Sequence, residues 1–351
     1  MAVPARVRLP LLRPLIEQLA TIIFGLVVGA LLMLPFGFSP LRAYRSLLAG
    51  AFGTIPDLLE TLAFATPLML TALPFSVGVR GGLFNIGAEG QMYLGAIGAT
   101  MVAGLLPLPA GVHLAAATAA AMLFGAAWAL VPALLKIWRG VHEVISTIMF
   151  NWMAFWLSTY LAVNFLGEPG RAERTVPALL TARYPVFTED STLTAAIFVA
   201  VALCVVVYFY LWGTRAGYEI RLAGENPEAA RYAGVHAGKA ILITFLIGGM
   251  AAGLAGASQI IGRPPAWSLY ATLGNVVTLG FDGIGVALVG RNHPVGGVLA
   301  AILFGALAHG GRLMEYEAGV LSEMVRAING LIVITLAAPE IWKLVRRRSA
   351  R

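Results

Sequence analysis

The sequence predicts an all-α fold, a polytopic bundle of transmembrane helices with about ten spans and an inverted repeat. Three observations predict it. The chain is 59% hydrophobic and 12% charged, whereas soluble domains are nearer a quarter charged. Several apolar runs exceed about 18 residues, enough to cross a hydrocarbon core of roughly 30 Å. The basic residues gather at the two ends and in connecting loops, as topology signals do. A soluble protein with many buried helices would not need such long runs. The formal charge of +7 could suggest nucleic acid, but its distribution argues against that partner. Cys204 is the only cysteine, so neither an internal disulfide nor a cysteine metal site can form.

The ten expected spans are 15–36, 58–79, 88–107, 111–135, 144–165, 192–212, 240–261, 270–290, 295–311 and 318–339. The first follows Arg6, Arg8 and Arg13; it is too long for a signal-peptide core and lacks an A-x-A site. An even number of spans puts both termini on one side. Sixteen of the 24 basic residues then fall on the side of the termini, which predicts cytoplasmic N- and C-termini. An eight-span reading, in which 263–295 only dips into the membrane, stays open.

Two connections are long. The expected extracytoplasmic loop, 166–191, is rich in Pro, Gly and mixed charges and predicts a solvated cap with little regular structure. The expected cytoplasmic loop, 213–239, carries "GENPEAARYAGV". There Asn226 is a helix cap, Pro227 a first-turn residue and Glu228 a partner for the positive helix end. Gly234 is the stop. A helix of about two turns follows, which taken alone is equally an ordinary connecting helix.

Close packing is written into Gly25-xxx-Gly29, Gly78-xxx-Gly82 and, above all, "GGMAAGLAGAS" at 248–258. The repeat would place the third and eighth spans in corresponding positions. Each opens on a glycine-interrupted polar stretch with one carboxylate: "GGLFNIGAEG" with Glu89, and "GNVVTLGFDGIG" with Asp282. Paired broken helices point to a transport pathway.

Motifs for chemistry are missing. "AGVHAGKA" departs from a P-loop at Ala233 and Ala240, and His142-Glu143 lacks the second histidine of a zinc protease because Ser146 stands there. No G-x-S-x-G occurs, and the five histidines are scattered. No catalytic residue, metal site or cofactor of this chain is expected. What remains are polar groups in apolar segments, which are costly and tend to face cavities or partners. Asn85, Glu89, Asn151 and Asp282 are the candidates for a substrate pathway, with Trp152 as a flat surface nearby. Asn85 and Glu89 stand four residues apart, on one face if helical. For each of these the alternative is interhelical packing.

Five stretches then carry a resemblance: "GGLFNIGAEGQMYLGAIGA", "VHEVISTIMFNWMA", "RLAGENPEAARYAGV", "GGMAAGLAGA" and "GFDGIGVALVGRNHPVGGVLAAILFGAL". Over about 77–310 the chain resembles the permease subunits of bacterial ABC importers in the branched-chain amino acid and simple-sugar permease superfamily. It looks most like the nucleoside permeases paired with basic-membrane-protein-type lipoproteins, chiefly through "FNIGAEGQ" and "HEVISTIMFNW". The resemblance implies a multi-pass subunit of the bacterial inner membrane, half of a nucleoside pathway. It implies a second, non-identical permease, an extracytoplasmic binding lipoprotein, and a cytoplasmic ATPase that holds ATP and Mg. By the same resemblance Glu225, Asn226, Glu228, Ala229, Ala230, Arg231, Tyr232 and Gly234 form the coupling helix that docks on that ATPase. A sugar importer is the neighbouring alternative. An ion-coupled transporter using Glu89 or Asp282, and a membrane enzyme, are the more distant ones.

Overall fold

The computed structural model describes residues 12–321 and, beyond them, residues 323, 324, 326–328, 330, 331 and 334. Ten of the 22 residues of the expected tenth span, 318–339, and the terminal basic residues Arg6, Arg8, Lys343, Arg346, Arg347, Arg348 and Arg351 lie outside the described residues. Among the described residues six helices are long and apolar enough to cross a membrane, and two shorter apolar helical stretches accompany them. In order the helices are α1 (Leu12–Met33), α2 (Pro40–Phe52), α3 (Ile55–Arg80), α4 (Ala88–Leu105), α5 (Val112–Arg139) and α6 (Glu143–Asn164). After a small hairpin, β1 (Gly167–Glu168) and β2 (Arg171–Thr175), come α7 (Ala196–Gly213), α8 (Arg215–Glu225), α9 (Pro227–Tyr232), α10 (Ala237–Ile260), α11 (Leu279–Val289) and α12 (Pro294–Ala318).

The molecule has two ends, one carrying the β hairpin and one carrying α8 and α9. Helix α3 runs between them through the centre, starting from a capping box in which Thr54 and Asp57 bond each other's backbone N–H. The small-residue run in α10 is buried and lies against α4 and α5. A Cβ at Gly249 would stand 2.6 Å from the Gly125 carbonyl oxygen, so only glycine lets these two backbones meet. The expected small-residue face of 248–258 is therefore a packing surface.

Two stretches break the helical pattern at mid-bundle. The chain leaves α3 at Arg80, stays non-helical over most of 81–87, and becomes helical again at Ala88. From the hairpin end, 261–278 descends without regular helix and becomes helical at Leu279. Helix α4 then runs to the hairpin end and α11 to the α8 end, where Arg80 Nε donates to the Asn292 carbonyl at 3.0 Å. At 11 residues, α11 is about 16 Å long, half a crossing. The expected eighth span, 270–290, is thus corrected to an irregular segment plus a half-length helix. The segment does not turn back, as the eight-span reading had it. The helix period misses this because the apolar residues of 267–277 pack through turns. Packing is exchanged between the halves: α10 lies on α4 and α5 as α3 lies on α11 and α12.

Three connections hold more structure than the sequence predicts. The stretch before α3 contains α2, whose Gly50 face packs on α12 near Gly310 and Leu313. The 166–191 cap contains the β hairpin, whose Thr175 and neighbours bond Leu269, Trp267 and Glu173–Ala271 backbones, tying the cap to the 261–278 segment. The 213–239 connection contains two helices. The expected one is α9, capped by Asn226 Oδ1 accepting from Ala229 N at 3.0 Å and closed by Gly234 at φ +77°. Helix α8 precedes it, capped by Thr214.

Candidate pathway and coupling surface

The polar residues of the apolar bundle divide into two groups. The first is a closed knot where the two broken stretches meet. Glu89, in the first turn of α4, is 2% exposed. Its Oε1 accepts from the Tyr93 hydroxyl at 2.5 Å and from Thr278 N at 2.6 Å. Its Oε2 accepts from Gly280 N at 2.7 Å and Phe281 N at 3.3 Å. One carboxylate thereby satisfies N–H groups that the start of α11 would leave without partners. Asn85 Oδ1 accepts from Gly87 N at 2.9 Å and Gln91 Nε2 at 3.2 Å. Asn151 of α6 donates to the Ile86 carbonyl and accepts from Gly90 N, both at 2.9 Å. Two atoms of the knot, Asn85 Nδ2 and Gln91 Oε1, have no protein partner.

Asn85 lies before α4 begins, so it and Glu89 do not share a helical face; that reading is corrected. Asn85, Glu89 and Asn151 do not line the cavities of about 880, 910, 440 and 560 Å³ among the described residues. Trp152 follows Asn151 by one residue and so points elsewhere. It is 62% exposed on the outward apolar face of α6, beside Met149, Met153 and Trp156. Of the five predicted pathway residues, Asp282 lines the cavity of about 910 Å³.

The second group lies along that cavity, on the face made by α3, α11 and α12. Phe64 of α3 is its centre. The Arg263 and Arg312 guanidinium carbons stand 4.2 and 4.6 Å from the Phe64 ring centroid, within cation–π range. The His309 ring stacks on it at 5.9 Å and 22°. Two carboxylates stand beside these groups: Glu60 Oε2 is 3.7 Å from Arg263 Nη2, and Asp57 Oδ1 is 3.6 Å from His309 Nε2. Glu60 also accepts from the Thr192 backbone N–H and, at 3.0 Å, from the Thr192 hydroxyl.

Three cavities adjoin along this face. One of about 880 Å³ lies under the hairpin cap and contains Glu60, Thr192 and Pro264–Trp267. The next, about 440 Å³, shares Thr192, Pro264, Pro265 and Ala266 with it and adds Phe64, Asn275 and Arg312. The third, about 910 Å³, shares Phe64, Leu279 and Arg312 with the second and reaches Phe281, Asp282 and Glu315. Together they lead from the hairpin end to the start of α11 at mid-bundle. Sequence reasoning missed Phe64, Arg263 and Arg312. Arg263 and Arg312 were legible as charges beside apolar runs, but were counted only as topology signals.

At the opposite end α9 offers an exposed surface. Glu225, Asn226, Glu228, Ala229 and Arg231 are exposed, and Tyr232 is 93% exposed. Ala230 is turned inward and buried, above a cavity of about 560 Å³ that also involves Gly81, Gly82, Leu83 and Lys136.

A bundle of apolar helices with broken crossings and a polar face leading inward defines a multi-pass membrane transport subunit. The chain belongs to the family of permease components of the branched-chain amino acid transport system, whose pattern matches residues 58–337. It is therefore an ABC transporter permease, a transport subunit and not an enzyme. It is similar to the guanosine ABC transporter permease NupP of Bacillus subtilis, with 38% identity covering 92% of this chain and 93% of that one. It is 31% identical to the nucleoside ABC transporter permease NupB of Lactococcus lactis, over 95% of this chain and 93% of the relative. A glucose ABC transporter permease, TsgB13 of Haloferax volcanii, is 33% identical over 93% and 88%.

Proposed function

We propose that this chain is the permease subunit of an ATP-driven nucleoside importer in the bacterial inner membrane. The observation that carries the reading is the adjoining row of cavities from the hairpin end to the start of α11, floored by Phe64, Arg263, Arg312 and Asp282. The face supplies half of a pathway, and a second, non-identical permease completes it. The hairpin end then faces outward and receives solute from a binding lipoprotein. The α8–α9 end faces the cytoplasm together with both termini. There Glu225, Asn226, Glu228, Ala229, Arg231 and Tyr232 form the coupling surface, Ala230 anchors it and Gly234 ends it, and the ATPase that docks on it binds ATP and Mg. The exchanged packing of α3, α4 and α5 with α10, α11 and α12 supports an inverted repeat.

Mixed charge around an aromatic ring suits a solute with a planar apolar face and edges that both donate and accept hydrogen bonds, as a nucleobase has. Asn85, Glu89 and Asn151 hold the pathway's inner end in shape and do not contact solute in this conformation. The likeness to a glucose permease favours a sugar as the second reading. The test is uptake into proteoliposomes bearing the full complex. Labelled nucleoside should accumulate only with ATP, and an uncoupler should not abolish it. Preferential uptake of glucose would favour the second reading. Uptake by this chain alone on a pH step would overturn both.

A further inference from the structure

We infer that Glu89 is a positioning residue of the transport cycle, a carboxylate latch through which displacement of α8 and α9 reaches α11 and the pathway residues Phe281 and Asp282. The inference rests on the importer reading for its role in transport, and on geometry alone for the latch.

The latch begins where α8 ends. Gly224 lies against the bend that follows α3. A Cβ on Gly82 would stand 2.9 Å from Gly224 Cα, and one on Gly224 would stand 2.6 Å from Gly82 N. Two glycine backbones in contact leave no side chain to absorb movement, so a displacement of α8 is passed to 81–82. The next residues are held as one block. Asn85 ties 85 to 87 and to Gln91; Asn151 ties Ile86 and Gly90 to α6. A Cβ on Gly90 would stand 3.0 Å from both Ala154 Cβ and Asn151 Cα. The block carries Glu89, and Glu89 holds three successive parts of the α11 start: Thr278, Gly280 and Phe281.

Thr278 shows that the hold is exacting. Its φ is +73°, the left-handed region that a β-branched residue rarely occupies. Such a conformation persists where the surroundings over-determine it, and it clusters where segments switch. Here Glu89 accepts the Thr278 N–H. A Cβ on Gly280 would stand 2.6 Å from Glu89 Oε2, so the carboxylate and the α11 backbone meet with no side chain between them. Asp282 follows two residues later, on the cavity of about 910 Å³. Coupling between distant surfaces needs an element with two arrangements whose equilibrium both surfaces bias, and the labelling experiment below asks for the second arrangement.

The test uses two variants and two readouts. Glu89→Gln puts an amide NH₂ where an acceptor is needed; Glu89→Asp keeps the charge on a shorter arm. In the purified permease, amide hydrogen exchange at Thr278, Gly280 and Phe281 should quicken at least tenfold in Glu89→Gln and less in Glu89→Asp. Exchange in the α5–α10 core should stay unchanged. In the full complex, Asp282→Cys in a Cys204→Ala background should react with a water-soluble thiol reagent at a rate that ATP changes. Glu89→Gln should remove that ATP dependence while ATP hydrolysis continues. If Glu89→Gln does not insert, Glu89→Asp alone carries both readouts. Unchanged exchange at 278–281, or ATP-dependent labelling that survives the loss of Glu89, overturns the latch. Altered exchange with no ATP effect on labelling, in a parent complex that takes up solute with ATP, overturns transmission through the latch; a parent complex with no ATP-driven uptake overturns the importer reading instead.

Discussion

The knot around Glu89 and the face around Phe64 use the same kinds of residue to opposite ends. In the knot, each oxygen of the carboxylate accepts two donors, and Asn151 is bonded through both its oxygen and its nitrogen. On the face, Arg312 and Asp282 line open space, and the cations are held against a ring by contacts that a solute could exchange for its own. Buried polar groups are costly unless they are paired, so a polar group at membrane depth is either completed by protein or left for solute and water. Polarity inside an apolar bundle therefore marks a pathway only after the protein's own donors and acceptors have been counted.

The largest expected effect comes from breaking the knot. Glu89→Ala removes the acceptor of three backbone N–H groups, each worth about 1–3 kcal/mol when left unpaired. The variant should accumulate poorly and lose most of its thermal stability in detergent. A normal melting temperature would place Glu89 with the open face. Asn151→Ala should come next. Losing its two bonds should lower stability by roughly 1–3 kcal/mol and shift the melting temperature by several degrees, with nucleoside affinity unchanged.

The open face should behave in the reverse way. Arg312→Gln should leave stability within about 0.5 kcal/mol of the parent. It should raise the half-saturating nucleoside concentration for uptake by about tenfold or less, the worth of one hydrogen bond. A stability loss as large as that of Asn151→Ala would make Arg312 part of the packing. Trp152→Leu, on the outward face of α6, should change neither solute preference nor affinity. A change in preference would return Trp152 to the pathway.

The smallest effect lies outside both groups. In the hairpin, Arg174 Nε sits 2.5 Å from Glu168 Oε2, and this hydrogen bond holds the Glu168 carboxyl below the usual carboxylate range. The folded-state value is depressed, so the contribution is present above the unfolded value of about 4.3 and is lost as pH falls through the folded one. The melting temperature of the parent should fall slightly further than that of Glu168→Gln as pH drops from about 6 to about 3.

The sequence by itself determined that the chain crosses a membrane many times, because long apolar runs leave no soluble alternative. It also marked both broken crossings, through glycines beside Glu89 and Asp282, and it marked α9, through the Asn226-Pro227 start and the Gly234 stop. These signals are local, written within one turn of the residues that obey them. Only the tertiary structure decided that 261–278 is irregular, that α8 precedes α9, and that Glu89 is occupied by α11, 189 to 192 residues away in the chain. Which way a side chain points near a broken helix follows from no period, since neither 3.6 nor 2 applies there. Arg263 and Arg312 likewise became candidate pathway residues only when folding brought α3, α12 and the 263 turn around one ring. A residue type states what a side chain can bond; the packed neighbours decide whether that bond is already made.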